Sequence, residues 1–167
     1  MIALKRILVP HDFSETSSEA VRYGMALART FGARLYFLHV GLQAIDQFDV
    51  EFPTGLEASM KDKLRDRLLQ VVTPQEDAEF NPEFAVRIGV PASEIIRYAA
   101  DENVDLIVMG THGRGFVGHM IMGSVAERVV RTSPCPVLTV RKPTHGFLIP
   151  DAARAGLSAD EMRTSDR

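Results

Sequence analysis

Short apolar runs, each followed by a stretch with helical spacing, limit what this chain can fold into more than any other feature. Ile7-Leu8-Val9 is stopped by Pro10, and Leu35 to Val40, Phe84 to Ile88, Leu106 to Met109 and Val137 to Val140 are runs of the same kind. Runs of this length between turn residues read as buried strands. The intervals between them are too long for hairpins and carry helical periodicity, so the order is β-α-β-α-β-α-β-α-β. Strands joined through helices lie parallel, with helices covering both sheet faces. Right-handed crossovers leave few arrangements. The expected fold is a three-layer, doubly wound, Rossmann-like α/β domain with a five-stranded parallel sheet in the order 3-2-1-4-5. In such a sheet the winding reverses between strands 1 and 4, and ligands bind at the carboxyl ends of the strands there. Two loops are selected on topology alone: Pro10-His11-Asp12-Phe13-Ser14 and Gly110 to Ser124.

The helical intervals carry their own punctuation. Thr16-Ser17-Ser18-Glu19 has the spacing of a capping box. After it, Ala20, Val21, Gly24, Met25, Ala28 and Phe31 share one face, and Gly32 stands where a C-cap is expected. Residues 41–55, with Pro53 and Gly55, read as a loop. Leu56, Met60, Leu64, Leu68 and Val72 recur every four residues and predict an amphipathic second helix. Pro91 suits the first turn of a helix running to about Asn103, and a short helix is expected from about Ser124 to Arg131.

Composition narrows the partners. The 167 residues carry 19 Lys and Arg against 22 Asp and Glu, a formal net charge of −3. That balance argues against broad, sequence-independent nucleic-acid binding, but not against one phosphorylated ligand held by backbone groups. The single cysteine, Cys135, excludes an intramolecular disulfide and a cysteine-based zinc site. The apolar run in MIALKRILVPHD is too short for a signal peptide, and no run approaches the roughly 20 residues of a membrane span. A cytoplasmic protein with no membrane partner is the expectation.

The second loop, GTHGRGFVGHMIMGS, holds five of the chain's 12 glycines: Gly110, Gly113, Gly115, Gly118 and Gly123. Glycine lets backbone N–H groups approach a ligand closely. Gly123-Ser124 falls where a helix begins, so Ser124 is either its N-cap or a phosphate contact, and the helix N-terminus is an anion site. A surface loop with glycines for its turns is the alternative. A Walker A loop is absent, because Gly118 is followed by His119 and Met120 rather than Lys and Ser/Thr. The dinucleotide pattern G-x-G-x-x-G is formally present as Gly113 to Gly118. The next strand ends in Arg141-Lys142 rather than an acidic residue, which would suit the 2′-phosphate of NADP. The third pattern is Gly110-x2-Gly113-x9-Gly123-Ser124.

Individual residues leave alternatives open. Asp12 either caps the first helix or contacts a ligand. His11 reads as a polar loop residue, and His39, inside strand 2, as a satisfied buried or half-buried histidine. His112 and His119 are the acid–base candidates, but no activated nucleophile accompanies them, so no catalytic residue is assigned. The five histidines show no metal-binding spacing. Any metal is expected to be Mg²⁺ held through nucleotide phosphates. Cys135, between two prolines, reads as a strand-entry residue.

Over residues 3–142 the chain resembles the universal stress protein family in its nucleotide-binding form. LKRILVPHDFSETSSEAVRYGMALA, VDLIVMGTHGRG and GSVAERVVRTSPCPVLTVR carry the resemblance, and the G-x2-G-x9-G-S/T pattern is intact. The resemblance implies the same five-stranded sheet and an ATP site (or one for ADP or AMP). Asp12 would bond the ribose or adenine side, with Pro10 shaping that wall. Val40 would meet adenine through its backbone, and Met109 and Gly110 would line the ribose and base end. Gly113, Gly123, Ser124 and Val125 would surround the phosphates, with His112 and Arg114 adding side-chain contacts. It also implies a homodimer through edge strand 137–141. Residues 1–142 would form the nucleotide-binding domain, and 143–167 an extension outside the resemblance. In that extension Ser158-Ala159-Asp160-Glu161 suggests a short helix, and Phe147 and Ile149 suggest docking on the domain or dimer, against disorder as the alternative. The function implied is an ATP-binding regulator of the stress response, with slow hydrolysis at most. The alternatives are an NADP-binding protein and a nucleotide-hydrolysing or group-transferring enzyme on the same fold.

Overall fold

The computed structural model describes residues 3–42, 56–111 and 122–141. Strand β1 (Arg6–Pro10) is followed by α1 (Glu15–Phe31), β2 (Arg34–Gly41), α2 (Leu56–Leu69), α3 (Pro74–Phe80), β3 (Glu83–Ile88), α4 (Pro91–Asp101), β4 (Leu106–Gly110), α5 (Ser124–Thr132) and β5 (Val137–Val140). The five strands form one parallel sheet in the order β3-β2-β1-β4-β5, as the alternation of runs and helices predicts. The 143–167 extension, with its proposed helix and docking residues, lies outside the described residues.

Each sheet face carries its own apolar layer. Ile7, Val9, Leu35, Phe37 and Val108 pack against α1 and Leu68 of α2. Leu8, Tyr36, Leu38, Ile107 and Met109 pack against Ile95 and Tyr98 of α4 and Val129 of α5. Ile7 to Val9, Leu35 to Leu38 and Leu106 to Met109 are continuously apolar because successive side chains point to opposite faces and both faces are covered. Fully burying side chains of this size contributes about 1.5–3 kcal/mol each.

Three local expectations need correction. The N-cap of α1 is Ser14, not Thr16. Ser14 accepts from the Ser17 N–H, and the Ser17 hydroxyl accepts in return from the Ser14 N–H. The capping box therefore sits two residues earlier, with serine rather than glutamate at its fourth position. The second helical interval is two helices rather than one running to Val72. α2 stops at Leu69, and Thr73 caps α3 in a second capping box with Glu76, Pro74 taking the first turn. Thr73-Pro74-Gln75-Glu76 carried that signal in plain view. Strand β2 runs one residue further than expected, to Gly41. The rest of the expected 41–55 loop, from residue 43, lies outside the described residues. Gly32, by contrast, takes the left-handed C-cap conformation at φ 65° as expected.

The third helix is tied to the first. Arg29 of α1 makes a two-pronged ion pair with Glu79 at 2.6 and 2.7 Å, and its guanidinium lies over the Phe80 ring.

Helix α1 rests on the sheet through Gly24. A Cβ at this position would stand 2.6 Å from Cγ2 of the fully buried Val9. Gly24→Val should therefore destabilise the fold by about 2 kcal/mol or more through overpacking. Val9→Ala removes the methyl that would be struck, so Gly24→Ala should cost less in that background than in the wild type. Urea midpoints of the wild type, the three single variants and the Val9→Ala/Gly24→Ala double variant check both expectations.

Candidate functional site

The crevice begins where two central strands part. Strand β1 pairs with β4 only at Ile7↔Leu106 and Leu8↔Ile107, while it pairs with β2 as far as Pro10↔Leu38. Parallel pairing uses alternate residues of a strand toward each neighbour. The His11 N–H goes to Leu38 O at 2.8 Å on the β2 side, so residue 10 is the one whose N–H would face β4. Proline has none. The β1–β4 ladder stops there, and β4 continues to Gly110 paired with β5 alone.

The loop after β1 is braced internally. Asp12 is half-buried, and its Oδ1 accepts from the Ser14 hydroxyl at 2.6 Å and the Ser14 N–H at 3.1 Å. Burial pushes its carboxyl up. The Ser14 and Ser17 hydroxyls and the Ser14 main chain outweigh this and hold it below the ordinary carboxylate value. Asp12 is thus not the helix cap itself; it braces the residue that is.

The residue between them, Phe13, has φ 65°, a left-handed conformation that costs a residue with a Cβ about 1–2 kcal/mol. Its ring lies 4.4 Å from the His39 ring, and the Arg67 guanidinium of α2 sits 4.0 Å over it. His11 and His39 are both buried. His39 Nδ1 is 2.7 Å from the His11 carbonyl, which only accepts, so that nitrogen carries a proton. His11 Nδ1 accepts from the Phe13 N–H at 3.2 Å, so that nitrogen does not. His39 is the satisfied histidine its strand position suggested. His11 lies in the loop as expected, and it is buried there.

The second loop enters and leaves the described structure at adjoining points. Thr111 N–H donates to Val140 O at 2.8 Å, and Gly123 N–H donates to Thr111 O at 2.7 Å. The start of α5 is therefore pinned beside the end of β4. Its N-cap is Gly123, with no side chain capping it, and Ser124 is the first helical residue rather than the cap. The first intrahelical bond is Glu127 N–H to Gly123 O at 2.9 Å. The amides of Ser124, Val125 and Ala126 therefore lead the helix with no acceptor inside it. Two helix N-termini thus meet the crevice, one closed by a capping box and one with no side-chain cap among the described residues.

Gly110 has a structural duty that its sequence context did not reveal. A Cβ there would lie 2.9 Å from the backbone carbonyl carbon of Thr16 and 2.9 Å from its Oγ1. The first turn of α1 thus closes on the end of β4. Among the other residues singled out, Pro10 is buried at the strand end, and Val40 is half-buried in the α4–α5 layer. Met109 spends its side chain in the same layer, so only its backbone faces the strand end. His112, Gly113 and Arg114 lie outside the described residues. Cys135 is half-buried, and burial pushes its thiol up, away from the reactive thiolate form.

An open parallel sheet with this strand order, parted at its switch point, places the chain in the doubly wound α/β class, whose ligands bind in a crevice of this kind. The chain belongs to the universal stress protein family, whose model matches residues 3–141. It is 34% identical over 146 residues to universal stress protein MJ0531 of Methanocaldococcus jannaschii, covering 83% of each chain. It is 37% identical over 142 residues to a Thermus aquaticus universal stress protein, covering 82% of this chain and 98% of that one. The solved structure of M. jannaschii MJ0577 superposes with a TM-score of 0.72 at 29% identity, over 86% of this chain and all of that one.

Gly110→Ala should destabilise the protein by about 1–3 kcal/mol, as overpacking of a tight contact does. Thr16→Ala, which removes the struck Oγ1, should rescue it only in part, because the struck backbone carbon of residue 16 remains. Thermal and urea unfolding of the single and double variants test this.

Proposed function

We propose that this universal stress protein binds an adenine nucleotide, ATP in the first place, in the crevice between β1 and β4, and acts as a homodimeric regulator. The observation that carries the reading is the uncapped start of α5, pinned at Gly123 to the end of β4. Three leading amides and the helix dipole favour a phosphate there. The sequence pattern Gly110-x2-Gly113-x9-Gly123-Ser124 puts its last glycine and serine at that helix start. Ser124 and Val125 would donate their amides to phosphate oxygens, with Gly113, His112 and Arg114 contributing from the loop. Asp12, kept ionised by Ser14, would accept from ribose hydroxyls. Val40 and Met109 would offer backbone groups, and Pro10 and Gly110 would shape the walls. Mg²⁺ would enter bound to the phosphates. Regulation in the cytoplasm, with slow hydrolysis at most, follows from the same reading.

The two sheet edges support the dimer. At the β3 edge, Arg65 of α2 donates to Phe84 O at 3.0 Å, occupying an outward-facing carbonyl. Charged cover of this kind discourages pairing. At the β5 edge, Leu138 is 37% exposed and Val130 of the neighbouring α5 is 45% exposed. An apolar strand of that description is suited to pairing with its own copy.

Isothermal titration with ATP and Mg²⁺ tests the site. The wild type should bind. Gly123→Val, which sets a branched side chain over the leading amides, should weaken binding at least about tenfold, or 1.4 kcal/mol. No binding by the wild type, or equal binding by the variant, overturns the reading; NADPH displacing ATP would favour the dinucleotide alternative.

The dimer has its own test. Thr139 is placed to point its N–H away from β4, so Thr139→Pro removes an outward donor without breaking the β4–β5 ladder. Sedimentation should show this variant as a monomer at concentrations where the wild type is a dimer.

A further inference from the structure

The left-handed Phe13 is expensive for a residue of its size, and such strain persists only where surroundings over-determine it. Here they do. The ring is held between His39 at 4.4 Å and the Arg67 guanidinium at 4.0 Å. The His11 ring stands steeply to it at 5.3 Å between centroids, and also accepts the Phe13 N–H. The consequence of the turn lies one residue to either side. Because the chain reverses at Phe13, the Asp12 carboxylate folds back onto the hydroxyl and N–H of Ser14, the residue that opens α1. With Phe13 at an ordinary negative φ, Asp12 and Ser14 would leave this arrangement together.

We infer that Phe13 is a positioning residue: its left-handed backbone, held by the Arg67–Phe13–His39 stack, aims the Asp12 carboxylate into the β1/β4 crevice and so sets nucleotide affinity. The inference rests on the nucleotide reading above. Phe13 touches no ligand in it; the effect travels through Asp12. It also gives α2 a part in the site, since Arg67 is the one member of the stack that comes from that helix.

The test is a double-mutant cycle read by ATP titration, with a ligand-free measurement beside it. Phe13→Ala should weaken ATP binding about tenfold, and the same change in an Asp12→Asn background should alter it less than about twofold, since coupled residues fail to add. Phe13→Asn should recover most of the loss without any ring, because asparagine tolerates the left-handed region. Without nucleotide, Asp12 titrates below the ordinary carboxylate value in the wild type. NMR titration should find it moved back toward that value in Phe13→Ala and not in Phe13→Asn. Arg67→Leu removes only the exposed cation; it should weaken binding about threefold and serves if Phe13→Ala does not fold. Additive losses, an asparagine variant no better than alanine, or an unmoved Asp12 titration overturn the positioning role while wild-type binding leaves the nucleotide reading standing. A wild type that binds no nucleotide overturns both.

Discussion

A parallel ladder continues only while each strand offers a donor, and the donor missing at Pro10 is the constraint around which the rest of the molecule is arranged. β1 is the central strand, fully buried at Ile7, Leu8 and Val9. Without a break it would pair with both neighbours, β2 and β4, to its end. Proline at the last position leaves the β2 side intact, where residue 10 needs no donor, and ends the β4 side two residues early. The gap is then bounded by what cannot move. Below it α1 closes on Gly110 through Thr16, and across it Thr111 holds the start of α5. A crevice made this way needs no cavity in the core.

The two helix starts at this crevice divide the electrostatics between them. α1 gives the Ser17 amide of its first turn to the Ser14 hydroxyl, and Asp12 in turn is satisfied by Ser14. α5 has glycine where its cap would be. An anion is therefore favoured on one side and a hydroxyl-bearing group on the other. A formal charge of −3 is compatible with the proposed phosphorylated ligand for this reason. The attraction comes from oriented backbone N–H groups rather than a basic surface.

Strand order and the location of the crevice were legible because they follow from period and parity. An apolar run between helices admits few placements, and the switch point follows from the order. The details that were not legible are those in which a local signal competed with a better one nearby. Thr16 to Glu19 has the more familiar capping pattern, but the turn at Phe13 starts the helix earlier, and Ser14 with Ser17 does the capping. The regular leucines of α2 drew attention past Thr73-Pro74, where the chain stops and restarts. Phe13 gave no warning at all. A left-handed position is normally announced by glycine or asparagine, and here two rings and a guanidinium hold it instead, His39 brought from β2 and Arg67 from α2. Gly110 was noticed as one of a set of loop glycines, whereas its nearest demand for a missing Cβ comes from Thr16, nearly a hundred residues earlier in the chain.

The same hydrogen bonds that build the site also set its distance from the exposed edge. Val140 O accepts from the Thr111 N–H, and Thr111 O accepts from Gly123, so the last strand and the start of α5 share one residue between them. A ligand drawing on the leading amides of α5 pulls against Gly123, and Gly123 is held by the residue that ends the β4–β5 ladder. α5 also packs on β5. The opposite edge is remote from this linkage: β3 reaches the crevice only through β2 and β1, and its outward carbonyl at Phe84 is held by Arg65. Any coupling between an occupied crevice and a second copy therefore has a two-bond path at one edge and none of comparable length at the other. The β5 edge, where Leu138 is exposed among the described residues, is the one with the short path.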